Sequence, residues 1–199
     1  MFTGIVESVG ILSEVKGTGG GFRVRIHTPL SGEMKLGDSL AVNGVCLTVI
    51  LIDGQHILAV SGPTSETARV TTLGGLQRGQ EVNLERPMRG DGRLDGHSVL
   101  GRVDGVGVIE EIRAEGESRW LTIGFQPALA PFFIRKGSVA VDGISLTVAG
   151  LGERQFDVQV IPYTWGHTSL KGLRKGDKVN LECDMIGKYA VRAMELRKQ

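Results

Sequence analysis

Two short polar pairs are the residues of this chain best suited to chemistry. Cys46 and Thr48 stand two apart in one stretch, and Ser145 and Thr147 two apart in another. On an extended strand that spacing puts each pair on one face. Each pair then offers a nucleophile-sized group beside a hydroxyl, where a strand serving only as a wall would be apolar. Cys46 is a potential thiolate, and Ser145, with Asp142 and Lys136 close in sequence, is a hydroxyl among charges. Such groups suit proton handling and nucleophilic activation of a small molecule. Taken singly, Cys and Thr in a strand are ordinary core or β-forming residues; their recurrence at matched positions favours a shared function.

The pairs recur because their surroundings do. Ala41-Val42-Asn43-Gly44-Val45-Cys46-Leu47-Thr48-Val49 returns as Ala140-Val141-Asp142-Gly143-Ile144-Ser145-Leu146-Thr147-Val148, with six of nine positions identical at an offset of 99 residues. At an offset of 97, Gly4 to Ile11 lines up with Gly101 to Val108, Thr67, Thr71 and Leu73 with Thr164, Thr168 and Leu170, and Leu76 to Glu85 with Leu173 to Glu182. A 199-residue chain with this repeat predicts two domains of roughly 90 residues each. Two alike but unequal pockets suggest two copies of one small molecule, held for different roles.

The elements that must position these residues read as strands. Gly is frequent, at 30 residues, while Trp, Tyr and Phe total only ten, which fits tight turns between short Val-, Ile- and Leu-rich strands and an all-β fold. A first strand is expected around Ile5 to Val15. Gly17 to Gly21 reads as a hairpin turn and not a phosphate loop, because Phe22 to His27 alternates as a strand instead of opening a helix. Asn43-Gly44 and Asp142-Gly143 mark tight turns or bulges. Thr64 to Arg69 predicts a helical turn capped by Thr64 or Ser65, and Pro127 to Ile134 a short helix. Beyond Asp184, Ile186, Tyr189, Ala190, Ala193 and Met194 form one apolar helical face with no counterpart in the repeat. Its small residues favour contact with other subunits over packing on its own barrel. The expected organisation is 1–88 as the first barrel, 89–96 as a polar linker, 97–184 as the second barrel and 185–199 as the terminal helix.

A formal net charge of +1 supplies no field to hold a polyanion, which argues against nucleic acid. The two cysteines, Cys46 and Cys183, have no metal spacing and suggest a reducing compartment. The amino terminus has no signal pattern and no 18-residue apolar segment occurs. A cytoplasmic protein without a membrane segment is expected.

Five ordered motifs resemble the riboflavin synthase alpha-chain family: Met1 to Glu7, Asn43 to Val49, Gly96 to Gly101, Asp142 to Val148, and Ile161-Pro162 through Thr164. The resemblance covers essentially the whole chain. It implies two six-stranded Greek-key barrels and a homotrimer held by carboxy-terminal helices, with the site between the amino barrel of one subunit and the carboxy barrel of the next. The implied reaction is a dismutation of two molecules of 6,7-dimethyl-8-ribityllumazine, the last step of riboflavin biosynthesis. A four-carbon unit passes between them, giving riboflavin and 5-amino-6-(ribitylamino)uracil with no metal or redox cofactor. Association with lumazine synthase stays open, as does which barrel binds donor or acceptor.

Carried over, Gly4, Ile5, Val6, Cys46, Leu47, Thr48, Ser61, Gly62, Thr64, Ser65, Glu66, Thr67, Gly101, Arg102 and Val103 would line the amino-barrel pocket. Lys136, Ser145, Leu146, Thr147, Ile161, Pro162, Tyr163, Thr164 and Asp184 would line the other. Ser145 with Asp184 or Lys136, and Cys46 with Thr48, are the catalytic candidates. His97 reads as a structural residue opening the second barrel. One departure stands out, because the family usually carries a second histidine where this chain has Arg102. Arginine stays protonated and cannot act as a base, though it could stabilise an anionic lumazine. The main rival is a non-catalytic lumazine- or flavin-binding antenna; such a module would be free to lose the polar pairs, and all four residues are present here.

Overall fold

The computed structural model describes residues 1–18, 21–61 and 65–197. Strands β1 (Ser8–Thr18), β2 (Gly21–His27), β3 (Ser39–Val42), β4 (Val45–Asp53), β5 (His56–Val60) and β6 (Glu81–Glu85) close a barrel in the order β1-β2-β5-β4-β3-β6. Strands β7 (Gly105–Glu115), β8 (Ser118–Gly124), β9 (Ser138–Val141), β10 (Ile144–Leu151), β11 (Gln155–Val160) and β12 (Lys178–Cys183) close a second barrel in the equivalent order. Closure leaves neither sheet an open edge. Helix α1 (Ser65–Val70) follows β5, helix α2 (Pro162–His167) follows β11, and helix α3 (Met185–Leu196) is unrepeated. Of the turn expected at Gly17 to Gly21, Gly17 and Thr18 extend β1 and Gly21 opens β2, and Gly19 and Gly20 lie outside the described residues. Pro127–Phe132 is a short 3-10 helix, matched by Pro29–Glu33 in the first copy.

The strands form where apolar residues alternate. Along β4, Val45, Leu47 and Val49 are buried while Thr48 is exposed and Cys46 half-buried. Inside the first barrel Val24, Ile26, Leu40, Ile57 and Leu84 pack together; inside the second, Ile109, Leu121, Ile123, Val158 and Leu181 do so around Phe125, Phe133 and Phe156. Both interiors are therefore filled.

The barrels meet at the two repeated turns. Asn43 and Gly44 have φ of 45° and 77°, and Asp142 and Gly143 have 44° and 78°, the paired positive values of a two-residue hairpin loop. The glycines lie back to back: a Cβ on Gly44 would sit 2.8 Å from the backbone N of Gly143, and one on Gly143 2.7 Å from that of Gly44. Asparagine side chains tie the turns together reciprocally. Asn83 Nδ2 donates to Asp142 O at 3.0 Å and Asn180 Nδ2 to Asn43 O at 2.8 Å.

The start of each copy is a strap that crosses to the other barrel. Residues 4–7, expected to open the first strand, precede β1 and lie outside it. Gly4 O accepts from Ser145 N at 2.8 Å, and Gly101 O from Cys46 N at 3.0 Å. Val6 packs on the core of the second barrel and Val103 on that of the first. Both glycines have positive φ, 78° and 74°, and both pass against backbone that a side chain would strike. A buried carboxylate holds each strap. Glu85 accepts from Thr3 N and Gly4 N at 2.6 and 3.0 Å, and Glu182 from Leu100 N and Arg102 N at 2.6 and 2.8 Å. Burial raises both carboxyls above the usual range, against the lowering effect of these N–H donors.

Helix α3 starts at Asp184, whose Oδ1 accepts from Ile186 N at 3.0 Å. Its first turn passes the Pro127–Phe132 segment, while Ile186, Tyr189 and Met194 remain mostly exposed.

Candidate active site

Because both barrel interiors are packed, the polar pairs do not line internal pockets. Cys46 and Thr48 lie on the outer wall of β4, and Ser145 and Thr147 on the outer wall of β10. Leu47 is buried in its core and Leu146 packs against the other, so these leucines hold the walls and do not project from them.

On the carboxy barrel, Ser145 Oγ and His97 Nδ1 share a hydrogen bond of 2.7 Å. His97 is only 8% exposed, and its backbone N donates to Thr3 O at 3.0 Å. Burial holds the ring's pKa below its ordinary value, opposed by the nearby charge of Asp184. A neutral imidazole at neutral pH can take the serine proton. His97, expected from the sequence to be a structural residue, thus stands against Ser145. Asp142, close to Ser145 in sequence, is engaged elsewhere: Asp142 Oδ1 accepts from Asn180 N at 2.8 Å inside the barrel-barrel contact. Burial raises the Asp142 carboxyl to about 7. The repeat gives His97 no partner, because the matched segments begin at Gly4 and Gly101.

The strap Gly4, Ile5 and Val6 also belongs on this side, against Ser145 and not Cys46, with Ile5 half-exposed. Asp184 caps α3 and acts on His97 through its charge. Lys136 is exposed and adopts φ 66°, with its N donating to Val148 O at 2.7 Å. The equivalent residue in the first barrel is Gly37, at φ 89°. Ile161 precedes α2, where Pro162 occupies a first-turn position. The Tyr163 ring stacks on His167 at 4.1 Å, and Thr164 O accepts from Thr168 Oγ1 at 2.7 Å. Ile161 and Tyr163 are exposed.

On the amino barrel, Cys46 and Thr48 are joined by Gly101, Arg102 and Val103. Thr48 lies opposite Val60, next to Ser61, whose Oγ accepts from Phe22 N at 2.7 Å and helps close that sheet. Ser65 and Glu66 open α1, and Thr67 O accepts from Thr71 Oγ1 at 2.6 Å. Gly62 and Thr64 lie outside the described residues.

A cleft of about 1360 Å³ between the barrels, lined by Asn43, Arg69, Glu81, Asp142, Arg154 and Lys178 among others, contains none of these site residues. Its charges are mixed, whereas the outer walls concentrate the groups able to act on a ligand. Among the described residues no cluster of His, Cys, Asp and Glu is placed to hold a metal.

The chain matches the family model described as the lumazine binding domain twice, over residues 3–87 and 100–184. It is 41% identical to riboflavin synthase of Bacillus amyloliquefaciens, over 100% of this chain and 92% of that one. It is 43% identical to riboflavin synthase of Actinobacillus pleuropneumoniae, over 95% and 87% of the two chains. Among solved structures, LumP complexed with 6,7-dimethyl-8-(1'-D-ribityl) lumazine superposes with a TM-score of 0.82 at 25% identity, over 92% of this chain and 99% of that one. LumP complexed with riboflavin gives 0.84 at the same identity and coverage.

Proposed function

The chain belongs to the riboflavin synthase family, and from that premise we infer its chemistry. It is an enzyme that dismutates two molecules of 6,7-dimethyl-8-ribityllumazine. A four-carbon unit moves from one to the other, giving riboflavin and 5-amino-6-(ribitylamino)uracil. The observation that carries this reading is the duplicated lumazine-binding domain at about 40% identity to synthases along the whole chain.

The outer walls of β4 and β10 are the two lumazine seats. Holding both reactants in place makes an otherwise bimolecular step local, which supplies much of the acceleration. One lumazine loses a proton from its C7 methyl group, and the carbanion attacks the other after a nucleophile has primed that one at C7. Ser145 is the priming nucleophile, and His97 takes its proton. The charge of Asp184 favours the imidazolium that results. Thr147 and Thr48, exposed beside Ser145 and Cys46, suit the ribityl hydroxyls.

Both walls are open to solvent, and the apolar face of α3 is uncovered. These two features support a homotrimer joined through α3, in which the amino wall of one subunit closes on the carboxy wall of the next. The free thiols of Cys46 and Cys183 support a cytoplasmic location.

The test is incubation of the purified protein with 6,7-dimethyl-8-ribityllumazine, following riboflavin by absorbance. Two lumazines consumed per riboflavin is the expected result. Tight binding without turnover would overturn the enzymatic reading and leave an antenna-type binder.

A further inference from the structure

The two proposed lumazine seats are built from equivalent strands, yet exposed cations stand beside them in the chain at unmatched positions. Lys136, whose N donates to Val148 O of β10, corresponds to Gly37 in the amino barrel. Arg102, next to the Gly101 that accepts from Cys46 N, corresponds to Ile5 in the other strap. We propose that Arg102 is the anion-holding residue of the amino-barrel seat, so that this barrel binds its lumazine deprotonated at the C7 methyl group. The proposal rests on the family reaction and adds a division of labour to it.

Arg102 is fixed at its backbone and free at its head. Gly101 O accepts from Cys46 N at 3.0 Å, Arg102 N donates to Glu182 Oε2 at 2.8 Å, and Val103 packs on the first core. Between buried Gly101 and core-facing Val103, the Arg102 side chain lies on the exposed, outer side, as Thr48 does. Its guanidinium makes no ion pair among the described residues. Two carboxylates close to this strap, Glu182 and Asp104, are already engaged. Glu182 accepts from Leu100 N and Arg102 N, while Asp104 Oδ2 lies 2.6 Å from Lys188 Nζ and accepts from Cys183 N at 2.7 Å. An unpaired guanidinium on a rigid strap is pre-organised for an anionic partner.

The chemistry of each wall then differs in how negative charge arises. At the amino seat the C7 methyl loses a proton to solvent, and the electron pair delocalises over the ring towards the pyrimidinedione oxygens, which a planar guanidinium can grip with two hydrogen bonds. At the carboxy seat the Ser145 oxygen forms a bond to C7 of a neutral lumazine. Its proton passes to His97, and the displaced π pair enters the ring as an anion beside Lys136. No base is required at position 102.

The experiment is a pH titration of lumazine bound to the full-length protein, read by the absorbance of the deprotonated ligand, for the wild type, Arg102→Gln and Arg102→Lys, with riboflavin formation measured alongside. In the wild type one half of the bound ligand should ionise at a pH about one unit or more below that seen in Arg102→Gln. Arg102→Lys should restore much of the difference, and circular dichroism should show all three folded alike. Superimposable titrations for wild type and Arg102→Gln would overturn the proposal even if riboflavin is formed. Absence of riboflavin formation by the wild type would instead count against the enzymatic reading itself.

Discussion

His97 Nδ1 lies 2.7 Å from Ser145 Oγ, a contact that joins the segment before one strap to the strand on which the other strap docks. If the pair works as one unit, Ser145→Ala and His97→Ala should each lower kcat by about 10²–10⁴ with little effect on KM, and the double variant should be no worse than either. Equal losses in kcat and lumazine affinity would remove Ser145 from the chemistry. In the wild type kcat should fall as pH drops through the depressed pKa of His97, and that acid limb should vanish in His97→Ala. Stability follows the same sign. The buried ring resists protonation, so its contribution is complete above the unfolded-state pKa and is lost as pH falls through the folded one.

Asp142 occupies in one turn the place that Asn43 occupies in the other, and burial raises its carboxyl to about 7. A folded pKa above the unfolded one means that the stabilisation is present below the unfolded value and lost as pH rises towards 7. Asp142→Asn keeps an acceptor for Asn180 N and removes the ionisation. Urea midpoints should therefore show a loss with rising pH in the wild type, up to about 4 kcal/mol by linkage, and a flatter profile in the variant.

Lys136 carries a side chain at φ 66° where Gly37 stands in the other barrel. Lys136→Gly should relieve this and raise stability by about 0.5–1 kcal/mol. The same change should raise KM for lumazine. Thermal melts and steady-state kinetics on one preparation check both, and a variant with neither effect would remove Lys136 from the seat.

Tyr189 and Ile186 are each more than 70% exposed on α3. If α3 joins subunits as proposed, a double change, Ile186→Glu with Tyr189→Glu, should convert the proposed trimer to monomers in sedimentation without unfolding either barrel. Riboflavin formation should then fall with it, because each proposed seat would lose the wall of the neighbouring subunit.

The repeat made the architecture legible. Asn43-Gly44 and Asp142-Gly143 identified the tight turns, alternation in Val45 to Val49 identified a strand with its polar pair on one face, and the period beyond Asp184 identified α3. What stayed hidden were contacts that local pattern does not encode. Gly4 to Glu7 reads as strand because Ile5 and Val6 are β-branched, but Gly4 docks on Ser145, 141 residues away. The matched Gly4 and Gly101, with matched Glu85 and Glu182, were the available sign of two straps. His97 gave no such sign, since it lies outside the matched segments. The polar pairs were assigned to the correct strands, but which side of a barrel wall is solvent depends on how its interior fills.

The exchanged straps also bear on how the molecule comes apart. Unfolding either barrel would strip Val6 or Val103 from the core of its neighbour and expose backbone groups of Ser145 or Cys46 that the straps now satisfy. Partial melting is thereby penalised on both sides at once. Calorimetry should record one cooperative transition whose van't Hoff and calorimetric enthalpies agree for the whole chain, where two separately packed cores would otherwise melt in succession.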